Sequence, residues 1–384
     1  MMTRGKTAGV WLLAGLIFVG GLRLNGEAAF AEEMPPALPG LTYDHSMELT
    51  YAQNFSVDYY EGEYALITIK DSGRFLVVPE GAVIPEGLDP DIVTIQQPVQ
   101  EIYLVAAAAM DLFRAVDGLD SIGLSGTQAD SWYIPEAREA MERGEILYAG
   151  KYSAPDYELI LSEGCDLAIE STMIYHTPEV KEKLEEFGIP VLVENSSYES
   201  HPLGRTEWMK LYAVLLDKEE QAEEVFQVQA EKLKAVESEE ETDKTVAFFY
   251  ISSNGYANVR KSGDYVSKMI DLAGGTYVFQ DLGDQENALS TMNMQMEEFY
   301  AGAKDADYII YNSTIDGELR DLQGLLEKSS LMKDFKAVKE GQVWCTTQNL
   351  YQETTSLADM IVDIHTILTE EEPEDQQNFI YRLK

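Results

Sequence analysis

The sequence predicts an α/β protein of two Rossmann-like lobes, each a mostly parallel sheet covered by helices, joined by one long backbone helix with a ligand cleft between them. Three observations carry this. Strand-like apolar runs alternate with helical ones from about residue 91 to the end. The alternation pauses at 201-HPLGRTEWMKLYAVLLDKEEQAEEVFQVQAEKLKAVE-237, which holds no Gly or Pro after Gly204. A chain of 384 residues also exceeds one ordinary core and suits two lobes of about 150–200 residues each.

The amino terminus opens with Arg4 and Lys6, followed by the apolar run 8-AGVWLLAGLIFVGGL-22 and the small-x-small pattern 29-AFA-31. That order is the layout of a secretory signal peptide over 1–31, and the run is short for a membrane span. An uncleaved anchor is the alternative. The Pro-rich 32-EEMPPALPG-40 predicts a flexible tether over 32–50. Alternating β-formers in 53–79, broken at Glu61-Gly62 and Asp71-Ser72-Gly73, predict a β-meander at the start of a first lobe spanning 51–200.

Within that lobe, IVTIQQ (92–97) precedes the helical AAAAMDLFRAV (106–116), and SIGLSG (121–126) precedes PEAREAMERG (135–144). EILYAG (145–150) leads to DYELILSEG (156–164), and CDLAIES (165–171) to TPEVKEKLEEFG (177–188), before IPVLVEN (189–195) ends the half. Thr177-Pro178 reads as a cap and first-turn proline, with Gly188 as the stop. Short connections between such elements imply a mostly parallel sheet. The second lobe, 241–384, repeats the scheme through TVAFFYIS (245–252), TYVFQD (276–281), DYIIYN (307–312) and QVWCTTQ (342–348), each followed by a helical run.

Between the halves, Trp208, Leu211, Tyr212, Leu215 and Leu216 recur at helical spacing, while Glu219, Glu220, Glu223 and Glu224 supply a solvated face. The reading is a single helix over 201–240, about 50 Å long, acting as a strut. A coiled-coil arm is the alternative, weakened by the Leu-poor second half.

The formal charge of −40 argues against nucleic-acid binding, which needs clustered Lys and Arg. Cys165 and Cys345 fall one in each lobe and read as free buried thiols, with a disulfide as the alternative. Four histidines (His45, His176, His201 and His365) are too few and too scattered for a transition-metal site, so no bare-metal site and no resident cofactor are expected. The chain contains no Gly-x-Ser-x-Gly, no Gly-x-x-x-x-Gly-Lys-Ser/Thr, no His-Glu-x-x-His and no Gly-x-Gly-x-x-Gly, so no catalytic residue is assigned.

Ligands of open α/β sheets bind beyond the carboxyl ends of the strands. Residues just after the predicted strands are therefore the candidates: Trp132, Tyr133, Tyr175, His176, Tyr198 and Arg205 in or beside the first lobe, and Tyr256, Arg260, Trp344 and Tyr351 in the second. Aromatic groups with a few cations suit a large planar or polyanionic ligand. Tyr175 and His176 have the chemistry of axial ligands to a haem iron. For Arg205, an ion pair with Glu207 is the alternative to a ligand role.

Over about residues 90–370 the chain resembles the ABC-importer substrate-binding proteins for ferric siderophores, haem and cobalamin. Two segments carry the resemblance. In 157-YELILSEGCDLAIE-170, Glu158 takes the place of the family's first-lobe glutamate, although Cys165 replaces the usual proline. In 296-MEEFYAGAKDADYIIY-311, Glu297 takes the matching place, with Glu298 adjacent. The resemblance implies that these glutamates dock on permease arginines, with an ABC permease and its ATPase subunits as partners and a small-molecule metal chelate as cargo. It also implies an extracytoplasmic monomer, in a periplasm or at a cell surface. Members in single-membrane cells usually carry a lipid anchor; no lipid-attachment cysteine follows the apolar run here. An exported enzyme or a surface adhesin on the same scaffold are the alternatives.

Overall fold

The order of strands separates three large sheets and one two-stranded ribbon, Gly150–Lys151 with Ala154–Pro155, among the described residues. The computed structural model describes residues 35–239, 241–283, 291–315 and 317–384. The signal-peptide reading and part of the loop before Thr291 lie outside the described residues. From Pro36 the chain forms one unit.

The amino-terminal sheet has five strands in chain order: Tyr43–Ser46, Phe55–Tyr60, Tyr64–Ile69, Gly73–Val78 and Ile92–Gln96. The first four pair antiparallel and the last joins parallel. Two expectations change here. Residues 36–50 are no loose tether, since Leu38 is buried, the Tyr60 hydroxyl donates to the Pro36 carbonyl at 2.6 Å, and Tyr43–Ser46 is an edge strand. Ile92–Gln96 closes this sheet instead of opening the first α/β lobe. The opening strand is Ile102–Leu104, three buried residues too short to stand out as an apolar run.

The first-lobe sheet is wholly parallel, its five strands ordered Val191–Glu194, Ala168–Ser171, Ile102–Leu104, Ile122–Ser125 and Leu147–Tyr148. Helices Ala107–Ala115, Pro135–Glu142, Tyr157–Ser162 and Pro178–Glu186 link them; the last opens on Pro178 as expected, but the Thr177 side chain makes no capping hydrogen bond. The second-lobe sheet is parallel at its centre, where Tyr308–Tyr311 lies between Thr245–Ile251 and Val343–Thr346. Its edges are antiparallel, formed by Ala257–Arg260, Thr291–Met294 and Ile380–Arg382, strands that the sequence reading did not identify. Cys165 and Cys345 are free, and burial pushes the Cys165 thiol up to about 11.

The predicted single strut is instead three helices, Pro202–Glu207, Met209–Leu216 and Glu219–Glu237. Asp217 takes the left-handed conformation (φ 57°, ψ 48°), and the Lys218 N–H reaches back to the Ala213 carbonyl at 3.0 Å. That six-to-one closure ends the helix as a glycine would. The chain then doubles back: Lys210 Nζ lies 2.8 Å from Glu223 and 4.5 Å from the Phe226 ring centroid. In a straight helix those residues would stand about 20 Å apart. The two-lobe architecture remains, spanned by the shorter run Pro202–Leu216 and by the helix Glu219–Glu237 packed on Leu357–Thr369.

Buried charge fastens the amino-terminal sheet to this connector. Glu207, with no exposed surface, accepts the backbone N–H groups of Thr50, Tyr51 and Ala52 at 2.8–3.1 Å and pairs with Lys210 at 3.1 Å. Glu199 accepts from the Gln53 and Asn54 amides and from Trp208 Nε1, each at 2.9 Å. Glu207→Ala strands three amides and a buried ammonium. It should lower unfolding free energy by about 3 kcal/mol and speed amide exchange at 50–52. A loss within the range of ordinary surface substitutions would contradict that anchoring role.

A second buried carboxylate has no such partners. Glu170, fully buried beside Val193 of the neighbouring strand, has neither oxygen hydrogen-bonded, and burial raises its pKa to about 8. The folded chain therefore holds a proton that the unfolded chain, with a carboxyl near 4.5, releases. This favours the fold below pH 4.5, and the advantage is lost as pH rises towards 8. Glu170→Gln should remove that slope, so that its melting temperature gains on the parent between pH 5 and pH 8.5. Parallel pH profiles would refute the assignment.

Candidate ligand-binding site

The loops at the carboxyl ends of the parallel strands of the two lobes are joined by direct hydrogen bonds. Gln352 accepts the Tyr133 N–H at 2.7 Å and donates to the Ser131 carbonyl at 2.9 Å, while the Tyr133 hydroxyl donates to Gln348. Deeper in, Asp111 of the first lobe takes the Thr355 N–H at 2.8 Å, and the Thr354 hydroxyl donates to the Ala108 carbonyl at 3.0 Å. The connector joins the same seam, since the Thr206 hydroxyl donates to the Thr354 carbonyl at 2.8 Å.

Several exposed aromatic residues follow the strands that end at this seam. Tyr133, Tyr175 and Tyr198 of the first lobe and Tyr256 of the second are 36–50% exposed, each in a loop following a strand, and Met173 and Ile315 are exposed in equivalent loops. His176 is exposed beside Tyr175. Large apolar side chains left exposed in loops after the strands of an α/β sheet are candidates for ligand contact.

Not every predicted residue belongs to it. Trp132 and Trp344 are fully buried in the core, so the expectation that they contact ligand is corrected. Trp344 lies within the strand Val343–Thr346, not beyond its end, and its ring packs under Arg382 at 4.8 Å. Arg260 is committed internally: it pairs with Asp264 at 3.2 Å and donates to the Tyr351 hydroxyl, which also accepts from Asn312 at 3.0 Å. Arg260 and Tyr351 thus come together in the second lobe as one polar cluster.

Arg205 behaves differently. It sits on the connector, 6% exposed, with its guanidinium carbon 4.1 Å from the Tyr265 ring centroid. Among the described residues its side chain donates no hydrogen bond, and its Nε is buried without a partner. The expected pair with Glu207 does not form, because Glu207 is occupied by the sheet and by Lys210. Burial pushes the carboxyls of Glu194 and Asp264 upward; Ser196 hydrogen bonds draw Glu194, and the Arg260 charge draws Asp264, part of the way back, with Arg205 adding the smallest pull on each. His201 is structural: stacked on Tyr51 at 4.2 Å, its Nδ1 accepts the Leu203 N–H, and burial lowers its pKa to about 4.

The sequence reading missed Gln348 and Gln352, although both follow a strand end and were open to the same rule, and Asn195, Tyr265 and Asn312 beside it. A cavity of about 980 Å³ lies elsewhere, lined by Glu101, Ser121, Asp217 and Glu219 among others. Glu101 and Ser121 precede first-lobe strands, so this cavity is at the opposite edge of the sheet from the ligand-binding end. Among the described residues, no three His, Cys, Asp or Glu side chains form a metal-holding group, and no helix is long and apolar enough to cross a membrane.

Comparison with known proteins decides the family. The family model described as periplasmic binding protein matches residues 111–350. The chain belongs to that family. Its members are substrate-binding proteins that deliver ligands to ABC permeases. The chain is 25% identical over 389 aligned residues to an uncharacterised lipoprotein of Methanocaldococcus jannaschii, covering 93% of this chain and 89% of that protein. Among solved structures, the periplasmic haem-binding protein HutB of Vibrio cholerae superposes with a TM-score of 0.58 at 16% identity, covering 71% of this chain and 99% of that one. An ABC-type Fe3+-hydroxamate transport protein of Saccharomonospora viridis gives 0.55 at 20% identity, with 71% and 94% coverage. These periplasmic binding proteins share the bilobal α/β fold seen here. The amino-terminal sheet precedes the matched residues.

Proposed function

We propose that this periplasmic binding protein captures an anionic metal chelate, a ferric siderophore, haem or cobalamin-like ligand, between its lobes and delivers it to an ABC permease outside the cytoplasm. One observation carries the reading: beside loops that expose Tyr133, Tyr175, Tyr198 and Tyr256, the connector holds the buried guanidinium of Arg205, which among the described residues donates no hydrogen bond. Aromatic faces give area to a planar or bulky ligand at little entropic loss, and a desolvated guanidinium favours carboxylate or catecholate oxygens. The chemistry is retention without turnover. The polar contacts between lobes can exchange with ligand and solvent during a limited hinge motion.

Docking on the permease follows from paired carboxylates. Glu158 and Glu297 are exposed, and each occupies the second position of its helix, Tyr157–Ser162 and Met296–Ala303. Glu298 sits one place further, which favours Glu297 as the counterpart of Glu158. Two fixed negative groups, one per lobe, would report the closed spacing to a basic permease surface.

Titration with haemin, a ferric tris-catecholate, a ferric trihydroxamate and cyanocobalamin tests the ligand reading. One of them should bind saturably, raise the melting temperature, and lose about tenfold in affinity in Arg205→Met. Product formation from a bound probe would point to an exported enzyme, and no thermal shift with any probe to an adhesin. The docking reading has its own test in Glu158→Arg combined with Glu297→Arg: uptake should collapse while ligand affinity stays at the parental value. Undiminished uptake by that double variant rejects the role of these two residues.

A further inference from the structure

The amino-terminal sheet lies outside the matched family residues, yet it reaches the ligand-binding end of the first lobe. Its position is fixed at both ends. Just before its second strand, Thr50–Asn54 are held by Glu207 and Glu199. Just after its last strand, Gln97 Nε2 donates to the carbonyls of Val214 and Leu215 at 3.1 and 3.3 Å. Between these clamps, Val57, Ile67, Phe75, Val77 and Ile95 share one core with Trp208 and Leu211 of the connector. A sheet packed and pinned in this way cannot swing as an appendage, so whatever its turns touch is held in register.

What the turn at Lys70–Gly73 touches is the cleft mouth. Asn195, which follows the strand Val191–Glu194, donates from Nδ2 to the Lys70 carbonyl at 3.0 Å and to Ser72 Oγ at 2.9 Å. Ser72 Oγ in turn lies 3.1 Å from the hydroxyl of Tyr175, in the loop after Ala168–Ser171. Asn195 is 9% exposed and Tyr175 50%, so the chain of hydrogen bonds runs from a buried anchor to a side chain presented to solvent. An exposed tyrosine such as Tyr175 can hop between staggered χ1 rotamers unless something holds its hydroxyl. Here that group is Ser72, more than a hundred residues away in sequence.

We infer that the amino-terminal sheet is a working part of the ligand site, with Ser72 as the residue that positions Tyr175 and so biases which chelates the cleft accepts. The inference rests on the reading of the cleft as a chelate site, and it adds a selection element that the two lobes alone do not supply. Fixing the phenol before binding reduces the ordering that a ligand must impose, and the gain should be largest for ligands that contact that ring.

The test compares Ser72→Ala, Ser72→Thr, Tyr175→Phe and the Ser72→Ala/Tyr175→Phe double variant. Each is titrated with the same four probes by intrinsic fluorescence quenching, and amide exchange at 172–176 is followed without ligand. Ser72→Ala should melt with the parent, exchange faster at 172–176, and bind the preferred probe about three- to tenfold more weakly. Ser72→Thr should restore both readouts. The double variant should lose little more than either single change, because the two groups act as one unit. Unchanged exchange in Ser72→Ala overturns the inference whatever the ligand. Fully additive losses overturn it too, yet leave the chelate reading standing, since the parent still binds. A parent that binds no probe removes the chelate reading and this inference together.

Discussion

The carboxylate of Glu207 has no exposed surface, yet donors surround it: the amides of Thr50, Tyr51 and Ala52 and the ammonium of Lys210. A buried carboxylate without partners would cost several kcal/mol, so this cluster forms only when the amino-terminal sheet, the connector and the reversed helix Glu219–Glu237 are all in place. Lys210 completes the arrangement by reaching Glu223 on that helix. Sheet, connector and helix are therefore set relative to one another by one compensated charge, and Glu199 extends the same device by two amides and an indole.

That occupation of Glu207 has an effect on the cleft. Arg205 stands two places earlier on a helix, and residues at that spacing do not face one another. With Glu207 turned to the sheet, the Arg205 guanidinium stacks on Tyr265 near the carboxyls of Glu194 and Asp264, and among the described residues it donates no hydrogen bond. The connector thus shows one charge to the added sheet and the opposite charge to the seam between the lobes. Arg260, by contrast, pairs with Asp264, donates to the Tyr351 hydroxyl and serves the second lobe's own order.

Much of the two-lobe plan is legible in sequence because parallel strands, buried on both faces, read as short apolar runs, and because Thr177-Pro178 and Gly188 mark a helix at both ends. The run at 92–97 misleads for the same reason: it is apolar in either sheet, and only pairing with Gly73–Val78 decides. The break at Asp217 is hidden, since aspartate lacks the signature of a glycine stop while adopting the same left-handed geometry. The strand-end rule leads to Tyr133, Tyr175, Tyr198 and Tyr256, whose side chains are exposed and so open to a ligand. It fails for Trp344, which is still inside its strand and points into the helical layer. Ser72 is beyond that rule's reach, because it belongs to a sheet whose strands never enter either lobe.

The turn at Lys70–Gly73 also bears on how the chain is assembled in time. The sheet is synthesised first, but the carboxylates that seat it are 145–157 residues further along. Closing so wide a loop carries a large entropic cost before any contact rewards it. The sheet can be seated only once Glu199 and Glu207 have been made, so the turn that completes the cleft mouth waits on residues far downstream of it.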